Sequence, residues 1–244
     1  MSAETAYLSL LLDGPLQSWG FASRFQRRTT GLHPTKSGVL GLICAAMGLA
    51  KGSQEEQGTL PALAALKMTS VSVPRPGPYG TAAELPVRRL DDYHTVLGTR
   101  LAYLKKNRVN PNTVETRRQY LLDARFGIIL QGDRALLERV AAALQDPTWG
   151  VWLGRKSCIP SAPVLVGLEE SRDAAWKAIL RSCGASEETP METFTTVTEV
   201  ERFADGTDSL SDQPVSFGDG TSSGPDKRRF AARRIRVKPG IRHS

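Results

Sequence analysis

The segment Pro34-Thr35-Lys36-Ser37-Gly38 stands at the start of an apolar helical pattern, where free backbone N–H groups and the positive end of the helix dipole suit an anion. The Lys36 ammonium and the Ser37 hydroxyl would assist. This is no nucleotide P-loop: Gly31 to Lys36 is five positions, one short of G-x-x-x-x-G-K-[ST], and the second glycine and preceding strand are missing. An ordinary helix start, with Thr35 as cap and Lys36 solvated, uses the same residues. Asp91-Asp92-Tyr93-His94 opens two enzymatic readings, metal ligation and general acid/base cleavage of RNA. With His33, His94 and His243 the only histidines, a histidine-rich metal site is not supported. His94 beside Tyr93 could instead stack on or hydrogen-bond a base or phosphate, or pack in a loop, the more frequent case. No G-x-S-x-G, H-E-x-x-H or paired catalytic-carboxylate signature appears. Arg117-Arg118 and Gly154-Arg155-Lys156-Ser157 lie next to expected strand ends and, with Arg24, Arg27 and Arg28, could line one groove, although each pair alone is more often a solvated face. The C-terminal cluster Lys227-Arg228-Arg229, Arg233, Arg234, Arg236 and Lys238 is interrupted by Phe230, Ile235 and Val237 and reads as a strand with basic flanks.

These residues need elements to hold them. Thr5 to Leu12 reads as a first strand, ended by Asp13-Gly14-Pro15. A helix follows from about Ser37 to Leu49. Its Gly38, Gly41, Ala45 and Gly48 form a small-residue stripe that would let it approach a sheet closely. Lys67 to Val73 is a second strand, Arg125 to Leu130 a third and Ala162 to Leu168 a fourth. Helices are expected from the Asp133 cap to Pro147 and from Arg172 to Ser182. Weaker strand patterns sit at Thr193 to Phe203 and Arg229 to Val237. Between Pro74 and Thr116 the chain is polar, basic and without a period, so it should be functional or carry its own hairpin. The order is the βαββαβ of an α+β, ferredoxin-like (RRM-like) fold, with residues 1–73 and 117–244 as its body, extra C-terminal strands, and 74–116 inserted.

Composition narrows the partners. The 244 residues are 40% hydrophobic and 23% charged, a globular balance for one large or two small domains. Ser37 to Ala50 is too short an uncharged run to span a bilayer, and residues 1–23 hold no Lys or Arg for a signal peptide's basic region. Three cysteines without a C-x-x-C pair argue against a disulfide framework or zinc knuckle, so a reducing cytoplasm is expected. Lys+Arg 32 against Asp+Glu 25 gives +7, and the basic residues are mostly arginine, the better bidentate phosphate ligand. Ser186 to Asp226 holds ten acidic residues and one basic, Arg202. A basic body with an acidic segment held away from the polyanion suits a nucleic-acid or phosphate binder, although a solvated surface would look alike.

Six blocks resemble the CasD subunits of type I-E CRISPR Cascade surveillance complexes, in the repeat-associated mysterious protein superfamily. They are Gly14 to Gly20 (GPLQSWG), Pro34 to Leu42 (PTKSGVLGL), Asp92 to Gly98 (DYHTVLG), Thr116 to Phe126 (TRRQYLLDARF), Leu153 to Cys158 (LGRKSC) and, more weakly, Phe230 to Arg233 (FAAR). The sequence departs from the family at Lys36, where arginine is common, and in its long acidic stretch. The resemblance implies a ferredoxin-like palm with the inserted segment as thumb. It implies a non-catalytic subunit, without metal or cofactor, that grips the repeat-derived 5′ end of the CRISPR RNA. Such a subunit caps the filament of the backbone subunit CasC next to the large subunit CasA, among other Cascade subunits, and meets target DNA only indirectly. The RNA-binding residues are then expected at Gln17, Trp19, Arg24, Arg27, Arg28, Lys36, Ser37, Tyr93, His94, Arg117, Arg118, Arg155 and Lys156. Two alternatives stay open: a metal-independent endoribonuclease using Tyr93, His94 and a lysine, as in related type I-C complexes, and a purely structural assembly subunit.

Overall fold

The computed structural model describes residues 4–20, 26–75, 87–99, 112–218 and 228–240. Arg24 lies outside them. Strands are β1 (Thr5–Asp13), β2 (Leu16–Gln17), β3 (Arg27–Arg28), β4 (Lys67–Ser72), β5 (Arg88–Thr99), β6 (Asn112–Leu122), β7 (Arg125–Asp133), β8 (Leu165–Glu169), β9 (Thr196–Glu199), β10 (Asp208–Ser216) and β11 (Arg229–Lys238). Helices are α1 (Lys36–Ala46), α2 (Gln54–Ala65), α3 (Arg134–Gln145) and α4 (Arg172–Ser182).

Seven strands form one antiparallel sheet in the order β10-β11-β9-β4-β7-β1-β8. The two-residue period of a strand sorts its side chains. Leu8, Leu10 and Leu12 of β1 join Phe126, Ile128 and Leu130 of β7 in the core shared with Leu40 and Ile43 of α1 and Leu137 and Val140 of α3. Ile129 and Val71 point the other way, into a second cluster with Trp176, Ile179 and Leu180 of α4. Helix α4 therefore covers the face that an RNA-recognition module leaves open, and RNA has no bare sheet there to lie on.

Helix α1 is shorter than its apolar pattern suggests because Gly48, at φ +71°, turns the chain and the Leu49 N–H donates back to the Cys44 carbonyl at 2.9 Å. Its glycine stripe does not face the sheet. Helix α2 is missing from the sequence reading. Gly58 and Pro61 break its pattern, yet Ser53 and Glu56 form a capping pair, with the Glu56 N–H donating to Ser53 Oγ at 3.1 Å and Glu56 Oε2 accepting from the Gly52 N–H at 2.6 Å. Strand β10 was hidden in the acidic stretch, where Asp208, Asp212 and Pro214 obscure the alternation.

The inserted segment carries a hairpin of β5 and β6, and β6 runs through the expected boundary at 116 to Leu122. There it pairs with β2 and, in parallel, with β3, and its Tyr120 and Leu121 are buried in the main core. The second sheet is thus anchored to the first by its own strand. No helix among the described residues is long and apolar enough to cross a membrane.

Candidate nucleic-acid interface

A groove of about 1280 Å³ opens along the exposed side of α1. Its floor is the small-residue stripe: Gly38, Gly41 and Ala45 line it together with Ser37. Arg28, Lys51, Arg155, Lys156 and Arg228 reach it from four different stretches of chain, with Trp149, Trp152, Phe217 and Phe230 among them. The one carboxylate in its lining, Glu56, is buried and already accepts from the Gly52 and Phe217 backbone N–H groups. None of the five cations lies within ion-pair distance of a carboxylate among the described residues. Lys51 records the crowding: burial and then repulsion by Arg228, with Lys156 adding to it, hold its ammonium below the usual lysine range. Uncompensated positive charge around aromatic faces is what a single strand with stackable bases requires.

The LGRKS loop is seated by backbone geometry. Gly154, at φ +99°, packs so closely on Ser18 that a Cβ would fall inside the carbonyl oxygen's van der Waals envelope, and the Ser18 N–H donates to the Leu153 carbonyl at 3.0 Å. Arg155 then donates from Nη1 to the Gln119 carbonyl at 3.0 Å and from Nη2 to the Arg28 carbonyl at 2.8 Å, stacking over Tyr120 at 4.7 Å. It both lines the groove and ties its walls. Lys156 lies over Trp152 at 5.6 Å.

Beside the groove the parallel register of β3 on β6 sets Arg27 opposite Arg117 and Arg28 opposite Arg118. The β5 ladder extends both rows, with Tyr93 opposite Arg117 and Asp92 opposite Arg118. Arginines in adjacent strands repel one another, a cost that a bound polyanion relieves. Consecutive strand residues face opposite ways. Tyr93 and His94 are therefore on opposite faces of the ribbon and do not converge on one atom. Tyr93 is 56% exposed, and its hydroxyl is held above the usual tyrosine range mainly by its hydrogen bond with Glu115.

Three expected RNA contacts are interior instead. Gln17 is buried; its Nε2 donates to the Leu12 and Ala124 carbonyls at 2.9 and 2.6 Å, and its Oε1 accepts from Trp19 Nε1 at 3.0 Å. Trp19, also buried, packs its ring against the Cα of Gly38, where a Cβ would approach Cε3 to 2.8 Å. Both residues brace the start of α1. Lys36, expected to face phosphate, has no exposed surface: its Nζ donates to Glu199 Oε1 and Oε2 at 3.2 and 2.9 Å. The helix start does hold an anion, but it is Asp212, whose Oδ2 accepts from the Lys36 N–H at 2.8 Å while Arg233 grips the same carboxylate at 2.6 and 3.0 Å. Thr35 caps α1, and Ser37 alone of the predicted pair reaches the groove. The acidic stretch likewise corrects its expectation: instead of standing clear of the polyanion site, it supplies the Glu199 and Asp212 carboxylates and two lining residues, Ser211 and Phe217. Lys51, Trp149 and Trp152 were missed, although two tryptophans around Gly150, just before LGRKS, were a readable signal.

A family model described as "CRISPR-associated protein (Cas_Cas5)" matches residues 7–236. The chain is 33% identical over 178 residues to the CRISPR system Cascade subunit CasD of Escherichia coli (strain K12), covering 72% of this chain and 76% of that protein. Its structure resembles a chain of a CRISPR RNA-guided surveillance complex, with TM-score 0.68 and 26% identity over 96% of this chain and 90% of that one. It also resembles a solved Cas protein, with TM-score 0.57 and 29% identity over 96% and 95% of the two chains. The family-model match over nearly the whole chain, with the identity to CasD, places this protein in the Cas5 family of CRISPR-associated proteins.

Proposed function

We propose that this chain is a non-catalytic RNA-binding subunit of a Cascade surveillance complex, gripping the repeat-derived 5′ end of the CRISPR RNA and capping the backbone-subunit filament beside the large subunit. The observation that carries the reading is the groove on α1, where five cations without carboxylate partners among the described residues stand around aromatic rings. Arg28, Ser37, Arg155 and Lys156 of the expected set belong to it, and Arg118 shares the cross-strand row of Arg28, while Arg27 and Arg117 form a row on the other face of the ribbon. The strand order β8-β1-β7-β4, with helices following β1 and β7, is read as the ferredoxin-like palm, and the β5–β6 hairpin as the thumb that meets the backbone subunit CasC. Cleavage by Tyr93 and His94 is disfavoured because they face opposite ways.

The test is binding of labelled precursor and mature CRISPR RNA across a salt series, with Lys51→Gln and Lys156→Gln beside the parent. Each lost phosphate contact should lower the slope of log K against log[salt] by about 0.7. The parent should leave precursor RNA intact. Unchanged slopes would remove the groove from the interface, and repeat-boundary cutting that vanishes in His94→Ala would establish the endoribonuclease instead.

A further inference from the structure

Glycine inside a helix is unfavourable relative to alanine and needs a reason. In and just after α1 the protein supplies one at two positions. Gly38 is held against the Trp19 ring, and Gly48 has a positive φ with Thr148 closely opposed. Gly41 has neither. A Cβ built there meets nothing nearer than Phe217 Cζ at 3.8 Å, ordinary contact, and otherwise projects into the groove. Phe217 forms an edge-to-face pair with the half-exposed Phe230, ring centroids 6.4 Å apart, so the open side of Gly41 is flanked by an aromatic wall. The cations Lys51, Lys156 and Arg228 line the same groove.

We infer that Gly41 is a specificity-determining clearance position. An unpaired nucleotide of the bound strand packs directly on the α1 backbone there, beside Phe217 and Phe230, and any side chain at 41 occupies its place. The inference rests on the groove being the RNA site. It goes further in separating the ligand's requirement from the fold's: glycine at 41 serves the strand at the protein's expense. A paired duplex, whose base faces are stacked on one another, cannot present this surface to the helix.

The experiment uses the full chain and a fluorescein-labelled single-stranded oligoribonucleotide of mixed sequence, with melting and affinity measured on each variant. Gly41→Ala should melt at the parent's temperature or above, because it adds a helix former without a clash, and yet bind the RNA more weakly. Gly41→Gln should bind about tenfold more weakly or worse, the loss expected from overfilling a fitted contact. Gly58→Ala is the control: Gly58 lies inside α2 with nothing within 4 Å of its Cβ and outside the groove lining, so it should gain stability and keep its affinity. Should Gly41→Gln fail to fold, Gly41→Ala carries the comparison. Parental affinity in both Gly41 variants, with weakened binding in Lys51→Gln and Lys156→Gln, overturns the inference and leaves the groove reading standing. Parental affinity in all four, or a parent that does not bind, overturns both.

Discussion

Replacing Lys36 with methionine tests whether this motif lysine holds the fold or the ligand. Its stem and ammonium are fully buried, and its partner Glu199 would lose contacts of 2.9 and 3.2 Å. Removing one member of a buried pair costs about 3–5 kcal/mol because the other charge stays behind without its counter-ion. Two features put this case at the lower end. Glu199 retains 22% side-chain exposure, and Arg233 Nη1 stands 3.7 Å from the same carboxylate oxygen. About 3 kcal/mol in a chain of this size lowers the melting midpoint by roughly 6–12 °C. The assay is thermal denaturation followed by circular dichroism, with RNA affinity measured at a temperature where both proteins are folded. The variant should melt early and bind within about twofold of the parent, since no phosphate can reach the buried ammonium. Pairing Lys36→Met with Glu199→Leu should recover much of the loss by removing the orphaned charge as well. A midpoint shift below about 2 °C, which would be at most about 1 kcal/mol, together with a large drop in affinity would refute the buried assignment.

Gly154→Ala should loosen the LGRKS loop from Ser18, costing about 1–3 kcal/mol in backbone strain and weakening RNA binding through displaced Arg155 and Lys156; parental melting and affinity together would contradict this. His33 should make stability sensitive to mild acid. Burial, and then the Arg233 charge, hold its imidazole below the ordinary 6.5, against the raising influence of its hydrogen bond with the Pro34 backbone and of Asp212 and Asp208. The unfolded chain therefore takes up a proton that the folded chain refuses, and the contribution is lost as the pH falls through 6.5 toward the depressed folded value. Melting curves between about pH 7.5 and about pH 5.5 should fall more steeply for the parent than for His33→Gln, and parallel falls would rule out His33 as the source.

Much of the fold was legible because its strands and two of its helices carry their periods in the sequence. Strand β1 and helix α4 match the expected segments within a residue or two. Helix α2 was lost because Gly58 and Pro61 mask its pattern, although its capping pair was visible. Strand β10 was lost because its buried position 212 holds an aspartate, and only knowledge of Arg233 and the α1 N-terminus makes that charge tolerable inside. The site was legible in part for the same reason. A lysine followed by serine looks the same in sequence whether it faces solvent, as Lys156 does, or is buried against a carboxylate, as Lys36 is. Long-range partners decide between them: Glu199 is 163 positions away from Lys36, and no local pattern reports it.

That pairing also explains where the charge of the molecule is felt. The acidic stretch looks like a counterweight to the basic body, but five of its ten carboxylates are matched to individual cations. Glu199 meets Lys36, Asp212 meets Arg233, Glu201 meets Lys67 at 2.6 Å, Asp205 meets Arg202 at 2.8 Å, and Glu187 meets Arg181 at 2.8 Å. Paired charges leave only a dipolar field, which fades quickly with distance and salt. The cations of the groove have no such partners among the described residues, so their field persists and focuses in the concavity over α1. A formal charge of +7 spread evenly would attract nucleic acid everywhere and weakly. By holding Glu187, Glu199, Glu201, Asp205 and Asp212 in pairs and leaving Arg28, Lys51, Lys156 and Arg228 without one among the described residues, the chain gives a polyanion one place to settle, alongside a helix face kept clear by Gly41.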